Sequence, residues 1–210
     1  MRRKMIIWDF DGVIVDSRAL ALEYAQSQFH GVTEDIHRDM FNGNIFTESA
    51  KLEKKFATEE EHDLYLEKVY WPKKMELVPI PGMKEVVEAL SEEYSMTVNS
   101  SASSGQITRY LEKNGLMNNF QKVYGNEVRS KEEKFRMILR DFGLSAEECV
   151  FITDSIGDVR EAQAVRIPAI AVLWGFQLRR HFEPVRDEVM FAEQPAELVG
   201  LVRQRFAAGA

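Results

Sequence analysis

The feature that most constrains this sequence is a short apolar run that stops at two closely spaced carboxylates. Residues 5–8 (MIIW) are apolar, and Asp9, Asp11 and Gly12 follow them. Such a run, ending in turn residues, predicts a strand buried on both faces, as in parallel α/β sheets. Ligands bind beyond the carboxyl ends of these strands, and residues two apart point the same way. We therefore expect Asp9 and Asp11 to share one crevice, although two acids that cap a loop would give the same pattern.

The composition is that of an ordinary globular protein. The 210 residues are 45% hydrophobic and 29% charged, with a net charge of −7. This charge disfavours a general nucleic-acid or anionic-membrane surface. The single cysteine, Cys149, cannot form an internal disulfide. The basic start, Arg2-Arg3-Lys4, precedes only four apolar residues, too few for a secretory core. We expect a cytoplasmic protein with neither a nucleic-acid nor a membrane partner.

The chain divides into a helical segment and a segment in which strands and helices alternate. From Ser17 to about Leu77 the pattern is polar and helical, and residues 78–82 (VPIPG) form the clearest linker. Beyond it, strands near residues 96–98, 123–124, 149–152, 169–173 and 189 alternate with amphipathic helices. We predict an α/β fold with a Rossmann-like parallel-sheet core, residues 1–15 and 82–210, and an inserted all-helical subdomain, residues 16–81.

Several residues predict where helices begin and end. Asp16 or Ser17 is suited to cap the first helix, and Pro72 is expected to end or kink a later one. Ser130 and Glu133 have the spacing of a capping box, and Gly143 follows the same helix as a stop signal.

Three of the predicted strands end in polar residues. The first ends at Asp9 and Asp11, and the second ends at Ser100. The third ends at Asp154, with Asp158 four residues further on. Strand ends of a parallel sheet lie along one edge, so these groups can converge there. Four carboxylates would repel one another, and Mg2+ held by oxygen ligands is the simplest remedy. The Ser100 hydroxyl is suited to hold phosphate oxygens.

Lys131 begins the helix that Ser130 is expected to cap. A cation in the first turn opposes the helix dipole at a cost of a few tenths to about 1 kcal/mol, which a solvated lysine simply tolerates. Beside an acidic crevice, however, a lysine would balance the carboxylates and hold a phosphoryl group. Lys134 competes for this role, but it lies a full turn into the helix.

These motifs together resemble those of the haloacid dehalogenase superfamily. Residues 9–17 (DFDGVIVDS) look like its first motif, and Ser100, Lys131 and the Thr153-Asp154-Ser155 segment with Asp158 follow in the same order. The resemblance spans about residues 4–175. The helical block is similar to the cap of the branch that contains phosphoglycolate phosphatase and β-phosphoglucomutase. Many cap-bearing members show Lys-Pro at the third motif, whereas Glu132 follows Lys131 here.

The resemblance implies roles for these residues. Asp9 would be the nucleophile that becomes an aspartyl phosphate, and Asp11 the general acid and base. Ser100, or its neighbour Ser101, would bind the phosphoryl oxygens. Lys131 would neutralise the charge on Asp9 and on the phosphoryl group. Mg2+ would be held by Asp9, Asp154 and the backbone carbonyl of Asp11, with Asp158 in support.

The cap would select the substrate. Residues 41–44 (FNGN) are similar in position to a substrate-facing loop, which makes Asn42, Gly43 and Asn44 candidate binding residues, although an ordinary interhelical turn has the same composition. Arg18, His37 and Lys51 are candidates for binding a distal acid, although each is expected to be exposed on the surface instead. The cap aromatics Tyr65, Tyr70 and Trp71 are expected to pack rather than to contact substrate.

The resulting expectation is a Mg2+-dependent phosphomonoester hydrolase that acts on a small phosphorylated metabolite. Phosphoglycolate is the leading candidate by family analogy, and the protein is expected to be a monomer or a weak homodimer. Two alternatives stay open. A β-phosphoglucomutase-like enzyme would return the phosphoryl group to a sugar. A non-catalytic phosphate-binding or regulatory module would bind a phosphate group without hydrolysing an ester.

Overall fold

A six-stranded parallel sheet forms the centre of the computed structural model, which describes residues 4–208. The strands are β1 (Met5–Trp8), β2 (Ser95–Asn99), β3 (Lys122–Tyr124), β4 (Cys149–Thr153), β5 (Ala169–Val172) and β6 (Met190–Ala192). They lie in the order β3-β2-β1-β4-β5-β6, and all neighbours are parallel. The predicted α/β fold is confirmed. Residues 1–3, which include Arg2 and Arg3, and residues 209–210 belong to the predicted α/β core segment but lie outside the described residues.

The residues between β1 and the linker are helical, as predicted. They form α1 (Arg18–Gln28), α2 (Glu34–Asp39), α3 (Ile45–Ser49), α4 (Glu59–Tyr65) and α5 (Trp71–Met75), with a 3₁₀ turn at Met40–Asn42 and a π-helical turn at Leu66–Tyr70. The two linkers run side by side, because the Ile80 N–H donates to the Ile14 carbonyl at 2.9 Å and Val15 pairs with Pro79. The placement of the domain boundaries stays a prediction.

Helices cover both faces of the sheet. They are α6 (Met83–Glu93), α7 (Ser104–Lys113), α8 (Lys131–Phe142), α9 (Ile156–Ala164) and α10 (Glu197–Ala207), and 3₁₀ turns lie at Met117–Asn119, Ala146–Glu148 and Arg179–Val185. Because side chains alternate along a strand, Ile6 and Trp8 pack with α6, α7 and α10, whereas Met5 and Ile7 pack with α8. β1 is therefore buried on both faces, as its apolar run predicted. No helix within residues 4–208 is long and apolar enough to cross a bilayer.

The structure refines two of the local predictions. Of the two outcomes expected at Pro72, an end to the helix is not found, because α4 continues through the π-helical turn into α5, where the Trp71 N–H donates to the Leu66 carbonyl. The π-helical turn ends at Tyr70, two residues before Pro72, which lacks an N–H. Of the two residues suited to cap α1, Asp16 accepts the Arg18 N–H at 3.3 Å, whereas Ser17 occupies the N-cap position and its hydroxyl donates to the Asp11 carboxylate. Ser130 caps α8 as expected, accepting the Glu133 N–H at 3.1 Å.

Candidate active site

Asp9 lies at the end of β1 and is only 6% exposed. Its N–H donates to the Ile152 carbonyl at 2.9 Å, so the sheet pairing with β4 holds its backbone. The Lys131 ammonium lies 2.7 Å from Asp9 Oδ2 and 2.5 Å from Asp158 Oδ2. The start of α8 therefore brings a buried cation between a carboxylate of β1 and a carboxylate of α9.

The structure separates the two candidate lysines. Lys131 contacts Asp9, whereas the Lys134 ammonium donates to the Ser100 carbonyl. Burial, together with the positive charge of Lys131, lowers the pKa of Lys134 to about 8. Lys131 is therefore the lysine at the strand-end carboxylates, and Lys134 ties α8 to the turn after β2.

The buried acids outnumber the cations that contact them. Burial raises the pKa of Asp9 well above its usual range; Lys131 opposes this, whereas Asp158 and Asp154 add to it. Burial also raises the pKa of Asp154, to about 7. Burial alone would also raise the pKa of Asp158. The charge of Lys131, and the hydrogen bonds that Asp158 accepts from Lys131 and Thr153, outweigh burial and lower the pKa of Asp158. The positive charge of Lys131 therefore does not balance the negative charge that Asp9, Asp154 and Asp158 would carry when all three are ionised.

Asp154 is held close to the loop that follows β1. Its Oδ2 accepts the Phe176 N–H at 2.6 Å. Gly12 has a φ of +72°, and a Cβ at that position would lie 2.0 Å from Asp154 Oδ2. Only glycine permits both this backbone conformation and this approach. Gly12 therefore allows the loop to carry Asp9 and Asp11 up to Asp154.

The donor set suits a hard divalent cation. Asp9 and Asp154 supply carboxylate oxygens whose raised pKa values indicate a deficit of positive charge. Within residues 4–208, no three His, Cys, Asp or Glu side chains are arranged to hold a metal ion by themselves. Mg2+ typically uses only one or two carboxylates and takes its other ligands from water and phosphate. The residues present therefore fit Mg2+ better than a metal that needs a full protein cage.

Ser100 and Ser101 border the same cavity as Asp9. The Ser100 N–H donates to the Tyr124 carbonyl at 3.0 Å, and its Oγ accepts the Ala102 N–H at 3.1 Å. The hydroxyl therefore keeps its own hydrogen for donation to an anion.

Lys74 is a residue that the sequence did not single out. It lies in α5, is fully buried, and its Nζ lies 2.6 Å from Asp11 Oδ2 and 2.5 Å from Asp11 Oδ1. Its ammonium also lies 4.8 Å from the Trp71 ring centre. The Ser17 hydroxyl donates to the same carboxylate. Asp11 is therefore held by two residues from the helical insertion.

The loop of residues 41–44 docks on the core. Asn42 Oδ1 accepts from Gln177 Nε2 at 2.9 Å, and Asn44 Nδ2 donates to Glu161 Oε1 at 3.2 Å. Gly43 borders the cavity, but Asn42 and Asn44 are not among its lining residues. The two amides thus hold the loop against the core, and the predicted substrate contacts of the loop stay a prediction.

The basic residues suggested for a distal acid are engaged elsewhere. Arg18 pairs with Asp16 at 2.8 Å, and Lys51 pairs with Glu48 at 2.5 Å. Burial lowers the pKa of His37 to about 4, which keeps its ring neutral at pH 7. Only His37 borders the cavity that contains Asp9.

The site joins buried aspartates at the strand ends of a parallel α/β sheet to one lysine, and comparison with known proteins identifies the class of protein. The model of the haloacid dehalogenase-like hydrolase family matches residues 6–172. This chain therefore belongs to the haloacid dehalogenase-like hydrolases, and the resemblance noted in the sequence is confirmed.

Individual relatives span nearly the whole chain. A phosphoglycolate phosphatase of Synechococcus elongatus is 25% identical over 207 residues, covering 95% of this chain and 97% of the relative. A phosphoglycolate phosphatase of Aliivibrio fischeri is 26% identical, with 88% of each chain covered. Among solved structures, a haloacid dehalogenase-like family protein from Streptococcus pneumoniae superposes with a TM-score of 0.77 at 18% identity, covering 95% of this chain and 98% of the other. That structural likeness concerns the fold.

Proposed function

We propose that this protein is a Mg2+-dependent phosphomonoester hydrolase that works through an aspartyl-phosphate intermediate. The observation that carries the proposal is the contact of buried Lys131 with both Asp9 and Asp158, beside a cavity that Asp11 and Ser100 also line. Phosphoryl transfer depends mainly on positioning and charge neutralisation, and this arrangement supplies both. Family membership and the two phosphatase relatives support the same reaction.

In the first half of the reaction, an Asp9 carboxylate oxygen forms a bond to phosphorus while the ester P–O bond breaks. Lys131 offsets negative charge on Asp9 and on the phosphoryl oxygens, and the Ser100 hydroxyl donates a hydrogen bond to one of these oxygens. Asp11, in its protonated form, gives its proton to the departing alkoxide. The products of this half are an alcohol and a phosphorylated Asp9.

In the second half, water hydrolyses the aspartyl phosphate. Asp11, now ionised, takes a proton from the water as its oxygen bonds to phosphorus, and the bond to the Asp9 oxygen breaks. Inorganic phosphate leaves, and both aspartates return to their starting forms. General acid–base help of this kind contributes roughly 10²–10⁴ in rate.

Asp9, Asp154 and the Asp11 carbonyl would hold Mg2+. When bound, it would lower the repulsion between the Asp9 carboxylate and the phosphate dianion. The raised pKa values of Asp9 and Asp154 support a cation at this position. Phosphoglycolate is the first substrate to test, because the two curated relatives carry its name.

Hydrolysis of a generic aryl phosphate tests the metal requirement. We expect Mg2+ to support steady release of phosphate and EDTA to abolish it, with activity restored by excess Mg2+. Phosphate release that continues in EDTA would contradict the proposed mechanism. Binding of the ester without turnover, over a broad panel of esters with Mg2+, would favour a regulatory module. Transfer of the phosphoryl group to a sugar would favour a mutase.

Replacing Lys74 tests the contact between α5 and Asp11. We expect Lys74→Met to lower kcat by about tenfold to a hundredfold, because a catalytic group displaced by about 1 Å can lose up to 10²-fold in rate. KM should change less than kcat, since Lys74 acts through Asp11 rather than on the phosphate. Lys74→Arg keeps the charge and should recover part of the rate.

Lys73→Met is the matched control. Lys73 is the neighbouring residue on the same helix, but it is exposed and pairs with Glu23 on the surface. Its replacement should leave kcat and KM unchanged. Equal kinetics for Lys74→Met and Lys73→Met would exclude a positioning role for Lys74.

A further inference from the structure

The cavity over Asp9 extends well into the helical insertion. Its volume is about 670 Å³, and its lining runs from the strand ends to α1, α4 and α5. Pockets of about 300–1,000 Å³ bury most of a drug-sized ligand. The leaving group of phosphoglycolate has only two carbons and would leave most of this space unused.

Aromatic side chains form the wall opposite the strand ends. The rings that line this part of the cavity, called here the aromatic wall, are Tyr24, Phe29, Phe56, His62, Tyr70 and Trp71. They contact one another closely. The ring centres of Tyr24 and Tyr70 are 5.1 Å apart, and Phe56 stacks on His62 at 4.8 Å. Several keep part of their surface exposed toward the cavity, as is typical of a binding surface for a flat apolar group.

Two of the wall residues hydrogen-bond to each other. The Tyr24 hydroxyl is hydrogen-bonded to His62 Nε2. Burial lowers the pKa of His62, so its ring is neutral at pH 7. Two of the six wall residues thus use their polar atoms on each other and present ring surface to a ligand.

The charges around the cavity are mostly matched. Among the described residues that line it, Lys54 pairs with Glu59 at 2.7 Å, Lys74 with Asp11, and Lys131 with Asp9. The fourth lysine or arginine of the lining, Arg129, lies exposed, with its guanidinium over the Phe46 ring. A carboxylate or second phosphate in the cavity would therefore find three of these four cations already paired and, in the described part of the chain, only the exposed Arg129 without an ion pair.

We propose that the substrate of this chain is a phosphate monoester of an uncharged alcohol that carries an aromatic ring system. The phosphate lies at Asp9, and the ring packs on the aromatic wall. This inference rests on the proposed phosphatase function and specifies its substrate class. The cavity volume and the ring surfaces favour an aromatic leaving group, and the pairing of three of the four lining lysine and arginine side chains disfavours a second anion.

A series of esters with similar leaving-group chemistry tests the inference. Ethyl, phenylethyl and naphthylethyl phosphate are all esters of primary alcohols, so differences in kcat/KM report mainly on binding of the alcohol. We expect kcat/KM to rise at least about tenfold from ethyl to naphthylethyl phosphate, because even one methylene in an apolar pocket changes specificity by about 10- to 200-fold. Phosphoglycolate should be a poorer substrate than naphthylethyl phosphate.

Variants of the wall locate the effect. Phe56→Leu should lower the ratio of kcat/KM for naphthylethyl over ethyl phosphate, because it removes the ring that stacks on His62. Ala50→Trp adds bulk to a lining residue and should lower the same ratio. Leu64→Ala is the control, since Leu64 is exposed, lies on α4 and is absent from the cavity lining. It should leave the ratio unchanged.

Binding measured without turnover separates this inference from the proposed function. In Asp9→Asn, the phosphonates in which a methylene replaces the ester oxygen can be titrated by calorimetry. We expect the naphthyl compound to bind at least about tenfold more tightly than the ethyl compound. Equal affinities, or Asp9-dependent hydrolysis that prefers ethyl phosphate or phosphoglycolate, would overturn the inference and leave the phosphatase standing. Selective binding with no Asp9-dependent hydrolysis of any ester would overturn the proposed function alone.

Discussion

Asp9→Asn is expected to lower kcat for phosphate-ester hydrolysis by a factor on the order of 10⁴ or more, because loss of a covalent nucleophile is among the most damaging active-site changes. The amide has almost the shape of the carboxylate but does not attack phosphorus. Lys131 retains Asp158 as a partner at 2.5 Å. Steady-state kinetics with Mg2+ measure the effect.

The same substitution should not destabilise the fold. In the folded chain the pKa of Asp9 is raised well above its ordinary value, with burial as the largest cause. An acid whose pKa is raised on folding contributes a loss of stability that grows as the pH rises above its unfolded pKa, so at pH 7 Asp9 costs folding free energy. Asparagine carries no such cost. The free energy of unfolding of Asp9→Asn, measured in urea without Mg2+, should equal or exceed that of the parent.

Asp141→Asn is the control for this prediction. Asp141 is a surface carboxylate that pairs with Lys122 at 2.8 Å and accepts the Tyr124 hydroxyl at 2.9 Å. Exposed pairs contribute little to stability, and the amide oxygen of asparagine can still accept from Tyr124. It should change neither kcat nor folding. A large fall in stability for Asp9→Asn would mean that Asp9 serves mainly to hold the structure, and retained activity would remove it as the nucleophile.

The sheet and its reactive edge could be predicted because each depends on local sequence. An apolar run that ends in a carboxylate identifies a buried strand and its carboxyl end together, and Asp9, Ser100 and Asp154 were found in this way. In the observed order, β1 lies between β2 and β4, so three separately predicted strand ends become neighbours. The spacing of Lys131 from its cap also predicted its place at the start of α8.

The contacts from the helical insertion could not be predicted in the same way. Lys74 lies 63 residues from Asp11 in the chain, and nothing in its own helix distinguishes it from Lys73. Its contact depends on how the insertion docks on the core, which periodicity does not encode. The same is true of Gln177, which joins the core to Asn42. Pro72 does not end its helix, because the chain passes through the π-helical turn at Leu66–Tyr70 and continues as α5.

Lys131→Met should lower both activity and stability. Removing one donor that stabilises a transition state typically costs about 10²–10³ in kcat. Removing one partner of a buried ion pair costs about 3–5 kcal/mol, because the remaining charge is left uncompensated. Lys131 is 2% exposed and its loss would leave Asp9 and Asp158 without their shared cation. Urea unfolding and steady-state kinetics measure the two effects.

The loss of stability in Lys131→Met should depend on pH in a defined direction. In the parent, Lys131 holds the pKa of Asp158 below its usual value despite burial, so the pair stabilises the fold above the unfolded pKa and loses this effect as the pH falls. Without Lys131, burial raises the pKa of both carboxyls. The deficit should therefore be larger at about pH 7.5 than at about pH 5, where the acids take up protons more readily.

A double variant separates the cost of unpaired charge from the loss of chemistry. Lys131→Met with Asp158→Asn removes one of the two stranded carboxylates, so it should recover part of the stability lost in Lys131→Met while kcat stays low. Lys134→Met should reduce kcat much less than Lys131→Met, because Lys134 contacts the Ser100 carbonyl rather than Asp9. If Lys134→Met were the more damaging change, Lys134 would be the lysine that serves the phosphoryl group, and the contact between Lys131 and Asp9 would be structural.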